Sequence, residues 1–268
     1  MFIVKVPCVN GLGKTKGCEK AGNAIIESLK TIYSNESGKP VNTELLDLEE
    51  IHVDNFQIEE ANELIFKNAL ETFETKTKAV FLGGDHSISY SIGKAFLEYC
   101  KKENKEPCLV VFDAHPDCME PIGPEIPTHE EWLRALIESG FPSENILLVG
   151  VRNQDPKEIN FLSKNRIKTI HMDKLFQDLE NVCDTVMEFA SGKEFYLSLD
   201  IDIVDPVFAP GTSYSEPGGL TSREMIYLVQ RISKVKSLKA IDIVEVNPEG
   251  KGGELTVKLG AKILSEFL

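Results

Sequence analysis

Four short segments of this 268-residue chain end in acidic and imidazole side chains at spacings that suit a metal centre. Gly83-Gly84-Asp85-His86-Ser87 follows an apolar run, and its paired glycines permit a sharp turn that presents the imidazole. Asp113-Ala114-His115-Pro116-Asp117 carries ligand-type side chains at i, i+2 and i+4, which leave one side of an extended strand end, and Pro116 stiffens the turn. Asp200-Ile201-Asp202, followed by Asp205-Pro206, closes a third apolar run, and Glu245 with Asn247-Pro248 closes a fourth.

A lone Asp after a strand is more often a cap or turn former than a ligand. Here Asp113, Asp117, Asp200, Asp202 and Glu245 would bring five carboxylates to one edge, with no Lys or Arg in the four segments. Unpaired and partly desolvated, such charges cost several kcal/mol each, a conflict that divalent cations resolve. Many carboxylate oxygens, two neutral imidazoles and no required thiolate suit Mn²⁺, with zinc, iron, cobalt or nickel as alternatives. Two histidines and four aspartates exceed the needs of one ion with open positions, whereas two ions sharing carboxylates use them all. Water at such a site falls in pKa from about 15.7 to roughly 7, which supplies a hydroxide nucleophile near neutral pH.

The elements that must position these residues are legible from periodicity. Apolar runs at 2–6, 44–46, 79–82, 109–112, 146–151, 167–170, 195–201 and 241–246 alternate with segments of helical period near 17–34, 57–75, 88–102, 130–139, 156–164, 174–190, 222–233 and 254–267. This pattern predicts a single α/β domain over 1–268, a three-layer α/β/α arrangement around a parallel sheet of about eight strands. Its ligand crevice is expected beyond the carboxyl ends of the strands. Thr221-Ser222-Arg223-Glu224 reads as a capping box.

Composition excludes several function classes. The 29 Lys+Arg against 43 Asp+Glu give a net charge of -14, which disfavours binding to nucleic acid or to anionic lipid. No window approaches the roughly 18 apolar residues of a membrane span, so a soluble, cytoplasmic protein is expected. The six cysteines form no C-x-x-C pair and are expected to be reduced and buried.

The same motifs, in this order, resemble those of the ureohydrolase family, which includes arginase, agmatinase, guanidinobutyrase, proclavaminate amidinohydrolase and formimidoylglutamase. The resemblance runs from Gly83 to Pro248, through Ser198-Leu199-Asp200-Ile201-Asp202, Ala209-Pro210-Gly211, Gly218-Gly219-Leu220 and Ile243-Val244-Glu245-Val246-Asn247-Pro248, with a weaker start at Gly17 to Gly22. It implies an arginase/deacetylase-like fold and two Mn²⁺ ions per subunit. By motif position His86 would bind one ion and His115 the other, Asp113 and Asp200 would bridge them, Asp117 would complete the first site and Asp202 the second. Glu245 would accept the guanidinium as a fork, and Asp117 would deliver a proton to the leaving amine. His129, twelve residues after Asp117, would shuttle protons or contact substrate. The alternative for His129 is a polar residue opening the helix that contains Trp132 and Leu133.

The resemblance implies hydrolysis of a C–N bond in a linear guanidino compound to release urea. Arginases carry an Asn that reads the substrate carboxylate where this chain has Met119, and a Thr where it has Tyr214. Those departures favour agmatine or another guanidino compound over arginine. Asp155, in a segment resembling the arginase region that faces the far ammonium, is expected to hold a distant amine. Alternatives are a formimino or amide hydrolase of the same fold, with one zinc in the deacetylase case, and a catalytically silent metal-binding homologue. Family members suggest a homo-oligomer, trimer or hexamer, acting on a small molecule.

Overall fold

Eight parallel strands, most of them formed by the apolar runs of the chain, make one sheet in a computed structural model that describes residues 1–121 and 126–268. In chain order the elements are β1 (Phe2–Val6), α1 (Ala21–Leu29), β2 (Asp47–Glu50), α2 (Ile58–Thr75), β3 (Ala79–Gly83), α3 (Ile88–Lys102), β4 (Pro107–Phe112), α4 (Trp132–Glu138), β5 (Ile146–Val151), α5 (Pro156–Asn165), β6 (Lys168–His171), α6 (Met172–Gln177), α7 (Leu179–Phe189), β7 (Glu194–Asp200), α8 (Ser222–Ile232), β8 (Leu238–Val244) and α9 (Gly253–Phe267). The strand order is β2-β1-β3-β8-β7-β4-β5-β6.

Period-2 alternation sorts strand side chains between two cores. Ile3, Val80, Leu82, Val110 and Leu197 face α1, α7, α8 and α9 on one side of the sheet. Val4, Phe81, Leu109 and Tyr196 face α2, α3 and α4 on the other. Helices on both faces make the three layers, and because both faces are covered the central strands are apolar throughout rather than alternating.

The differences from the sequence reading have local causes. The strand expected at 44–46 lies at Asp47–Glu50, because Asn42 accepts a hydrogen bond from the Glu44 N–H and winds Thr43–Leu45 into a 3-10 turn. β2 is an exposed edge strand and carries no apolar signal. The helix expected over 17–34 is a short 3-10 turn followed by α1. That expected over 174–190 breaks at Asp178, whose side chain caps α7 by accepting from the Asn181 N–H. β8 starts at Leu238, ahead of the expected 241, and ends at Val244 because Glu245 turns into the left-handed region with φ 61°. The capping box at Thr221 is present as expected. All six cysteines are free and buried, and among the described residues no helix is long and apolar enough to cross a membrane.

Candidate metal centre and substrate cavity

Strands β3, β8, β7 and β4 lie side by side at the middle of the sheet and run in the same direction. Their carboxyl ends therefore deliver His86, Glu245, Asp200 and Asp113 to a single edge. Gly84 allows the close approach on which this depends: a Cβ there would lie 1.9 Å from the Cys8 carbonyl oxygen. Asp85, fully buried, accepts from the Asn10 N–H and the Thr15 hydroxyl, each at 2.7 Å, and so ties the 8–15 loop over the strand ends. Asp117 and Glu245 sit at φ 49° and 61°. Non-glycine residues held in that region cost on the order of 1–3 kcal/mol and tend to mark functional sites.

Two ligand groups form. His86, Asp113 and Asp200 make one, and Asp113, His115 and Asp202 the other, so Asp113 is shared. His86 Nδ1 lies 3.1 Å from Asp113 Oδ2, 3.0 Å from Asp117 Oδ2 and 3.1 Å from Asp200 Oδ2. Buried His86 Nδ1 and Asp113 Oδ2 nevertheless have no hydrogen-bond partner. Atoms this close yet misaligned for hydrogen bonds to one another are aimed at a common point. His115 Nδ1 lies 2.8 Å from Asp202 Oδ2 and 3.6 Å from Asp113 Oδ1.

The carboxylates are braced by backbone. Asp113 Oδ1 accepts from the His115 N–H at 2.6 Å, Asp200 Oδ1 from the Asp202 N–H at 2.7 Å, and Asp202 Oδ1 from the Ala114 N–H at 3.0 Å. In each case one oxygen is held and the other, Oδ2, is turned toward the histidines. Trp132 Nε1–H donates to Asp117 Oδ2 at 2.8 Å, and its ring packs 4.6 Å from that of His86. Ser198 donates to Asp242 Oδ1 at 2.8 Å, so its oxygen accepts from His86 Nε2–H at 3.0 Å. In the neutral imidazole that a metal ion requires, this places the proton on Nε2 and leaves Nδ1 as a lone pair, the second-sphere arrangement that orients a ligating imidazole. Asp242, inside β8, also accepts from the Ser89 hydroxyl at 2.8 Å, from the Leu199 N–H at 3.2 Å and from the Tyr196 hydroxyl.

The electrostatics call for positive charge. Burial first, then the Asp202 and Asp117 carboxylates, push the Asp113 carboxyl up to about 7. Burial, Asp202 and Asp113 push Asp200 well up too. Burial works against protonation of His86, and Asp113, Asp117 and Asp200 outweigh it, holding the imidazole well above the usual histidine range. Against burial, Asp113 and Asp202 push His115 up to about 12. The crevice therefore requires cations, protons or metal ions, among its carboxylates, and the oxygen-rich donor set with two imidazoles fits a hard or borderline divalent ion.

Above the ligands lies a cavity of about 220 Å³ whose floor is Asp117, Asp200 and Asp202 and whose walls include Glu130, Glu158, Glu216 and Glu245. Among the described residues no Lys or Arg lines it. Glu245 Oε1 accepts from the His86 N–H at 3.0 Å, and the Cys18 thiol points at Oε2 from 3.8 Å. His129 is 7% exposed, with Nδ1 3.5 Å from Glu245 Oε1 and its ring centre 4.9 Å from that of Tyr214. Burial lowers its basicity, but Glu245, Asp85 and Asp117 prevail and raise it to about 9.

The model of the Arginase family matches residues 1–268 of the sequence. The chain belongs to the arginase family. An agmatinase from Bacillus subtilis is 31% identical over 188 residues, which are 70% of this chain and 61% of that protein. The matched stretch is thus less than two thirds of that relative's length. A formimidoylglutamase from Halobacterium salinarum is 26% identical over 257 residues, 94% of this chain and 82% of that one. Among solved structures, a formimidoylglutamase from Bacillus subtilis superposes with TM-score 0.88 at 25% identity, covering 99% of this chain and 84% of that chain.

In this arginase-family chain, the structure brings together His86, Asp113, His115, Asp117, Asp200 and Asp202, with Glu245 and His129 on the cavity wall. It does not bring Asp155 to them. That carboxylate accepts from the Lys157 N–H and caps α5, with Glu158 returning to the Asp155 N–H. From this segment Asn153 and Glu158 line the cavity, and Asp155 does not. Sequence reasoning gave no role to Ser198, Asp242 or Trp132. The available signal was Asp242 itself, a charge inside the apolar run of β8 that had to find partners on a neighbouring strand.

Proposed function

We propose that this chain, acting as a single domain over 1–268, is a binuclear manganese hydrolase that cleaves a C–N bond of a linear guanidino compound and releases urea, with agmatine-like substrates ahead of arginine. The observation carrying this reading is His86 Nδ1, buried and unpartnered, between three carboxylate oxygens at 3.0–3.1 Å. His86, Asp113, Asp117 and Asp200 would hold one ion, and Asp113, His115, Asp200 and Asp202 the other, two per subunit. When bound, the ions would offset the carboxylates, acidify water and polarise the guanidino carbon.

The remaining work falls to side chains. Glu245 is fixed by its left-handed backbone and by the His86 N–H, and it accepts the guanidinium N–H groups as a fork. Water adds to the guanidino carbon, the bond to the alkyl nitrogen breaks, and that nitrogen leaves as an amine with a proton from Asp117, which the Trp132 indole orients. His129, on the wall beside Glu245, exchanges protons between the cavity and solvent. We take the functional unit to be a cytoplasmic homo-oligomer, trimer or hexamer, on the family resemblance alone.

Manganese-loaded protein is expected to release urea from agmatine, with two ions per chain by elemental analysis. No urea from agmatine, arginine, guanidinobutyrate or guanidinopropionate would end the proposal, and a single zinc would favour amide hydrolysis. Glu245→Gln is expected to abolish turnover and leave metal content unchanged, which separates an enzyme from a silent metal-binding homologue.

A further inference from the structure

The mouth of the cavity already holds an ammonium group that belongs to the protein. Lys14, on the loop between β1 and α1, sets its Nζ 3.6 Å from Glu130 Oε1 and 5.5 Å from the centre of the Tyr214 ring. The Tyr214 hydroxyl donates to the same Glu130 oxygen at 3.0 Å. A carboxylate beside an aromatic face within about 6 Å is the pattern that receives an alkylammonium. Glu130 and Tyr214 line the cavity, whereas Lys14 does not. The Lys14 side chain is 63% exposed, on a flexible four-carbon stem, so its ion pair is weak and easily exchanged.

Charge bookkeeping points the same way. Two divalent ions would balance Asp113, Asp117, Asp200 and Asp202, which leaves Glu130, Glu158, Glu216 and Glu245 on the walls. Glu158 is occupied by the backbone N–H groups of Cys118 and Asp155, and Glu216 by the Asn153 amide. A guanidinium satisfies Glu245. Glu130 then remains, facing the Tyr214 hydroxyl, an exchangeable lysine and, at 3.9 Å, His129 Nε2.

We infer that Glu130 and Tyr214 form the seat for a positively charged group at the far end of the substrate, and that Lys14 is a displaceable internal occupant of this seat. The inference rests on the guanidino reading above and narrows it to alkylguanidines that end in an ammonium and carry no carboxylate. Such a substrate has to displace Lys14, so the lysine weakens binding of this class selectively.

The test compares agmatine with N-butylguanidine, which shares the guanidinium and the four-carbon chain but lacks the ammonium. Wild-type protein is expected to favour agmatine in kcat/KM. Glu130→Gln is expected to shrink that preference about tenfold, the loss typical of one charged hydrogen bond. Lys14→Met is expected to enlarge it several-fold through a lower KM for agmatine. An unchanged ratio in Glu130→Gln, or a Lys14→Met ratio that stays the same or falls, overturns the inference. So does a wild-type preference for 4-guanidinobutyrate that Lys14→Met abolishes, since Lys14 would then be reading a carboxylate. If wild-type protein hydrolyses none of these compounds, the guanidino hydrolase reading fails. Calorimetric binding of agmatine and N-butylguanidine to the same three proteins then decides on the seat by the same ratios.

Discussion

Replacing Ser198 by alanine isolates the relay that orients His86. The change removes the acceptor, 3.0 Å away, of the His86 Nε2–H, and one donor, 2.8 Å away, to the Asp242 carboxylate. His86, Ser198 and Asp242 are all fully buried, so solvent does not replace the lost partners. Asp242 keeps Ser89, Tyr196 and the Leu199 N–H, and the larger share of the damage falls on His86. A buried donor left unpaired costs about 1–3 kcal/mol. Part of this appears as lower stability of the metal-free chain. The rest appears in metal binding, because an imidazole released from Ser198 can move its proton to Nδ1, the atom that faces the carboxylates. Losing an outer-sphere partner of a ligating histidine typically weakens metal affinity by about 10–100-fold. Calorimetric titration with manganese, alongside chemical denaturation of metal-free protein, separates the two components. The expectation is at least a tenfold loss at the first site and a smaller change at the His115 site. A stability loss with manganese affinity within about twofold of wild type would refute the tautomer argument and leave Ser198 as packing alone.

Metal loading should release protons: His115 is held up to about 12 and Asp113 up to about 7, so near pH 7.5 at least one ligand is protonated before metal binds. Affinity should climb from pH 6 to pH 8, and calorimetry in buffers of different ionisation enthalpy should give buffer-dependent heats; buffer-independent heats would count against these protonation states. Asp155→Ala should cost about 0.5–2 kcal/mol of stability through loss of the α5 cap, with KM for agmatine unchanged; a large rise in KM would restore a substrate role to Asp155. Burial, and then the Lys39 charge, depress Lys78 from 10.5 to about 8. A depressed lysine penalises the folded state fully below pH 8, and the penalty vanishes above the unfolded value. Lys78→Met should therefore stabilise the protein by up to about 3 kcal/mol at pH 7, with the gain fading toward pH 10.5 in denaturation curves; a gain independent of pH would show that the charge is not its cause.

The candidate cluster was legible because its acidic and imidazole side chains follow apolar runs at short, fixed offsets, and chain order alone preserves those offsets. Strand adjacency was not, since β3 and β4 follow one another in the chain yet are separated in the sheet by β8 and β7. Asp155 shows the limit of borrowing by position. The Asp-Pro-x-Glu pattern that suggested a substrate contact is also an N-cap followed by proline and a returning Glu, and in this chain the backbone takes the carboxylate. β2 was misplaced because an edge strand of Asp47-Leu48-Glu49-Glu50 gains its partners from β1 rather than from burial.

The order of strands also bears on how the molecule is made. Residues 1–171 supply β2-β1-β3 and β4-β5-β6, two three-stranded ribbons that do not touch along any strand edge. One carries His86 and the other Asp113 and His115, and each leaves an apolar strand with its inner border bare. Only when β7 and β8 are synthesised and slot between them are the halves zipped together, and the same two strands bring Asp200, Asp202 and Glu245. A nascent chain therefore passes through a long stage with sticky, unpaired borders and an incomplete set of candidate ligands. Loss of the last seventy-odd residues would remove the wedge that joins the halves as well as part of the site.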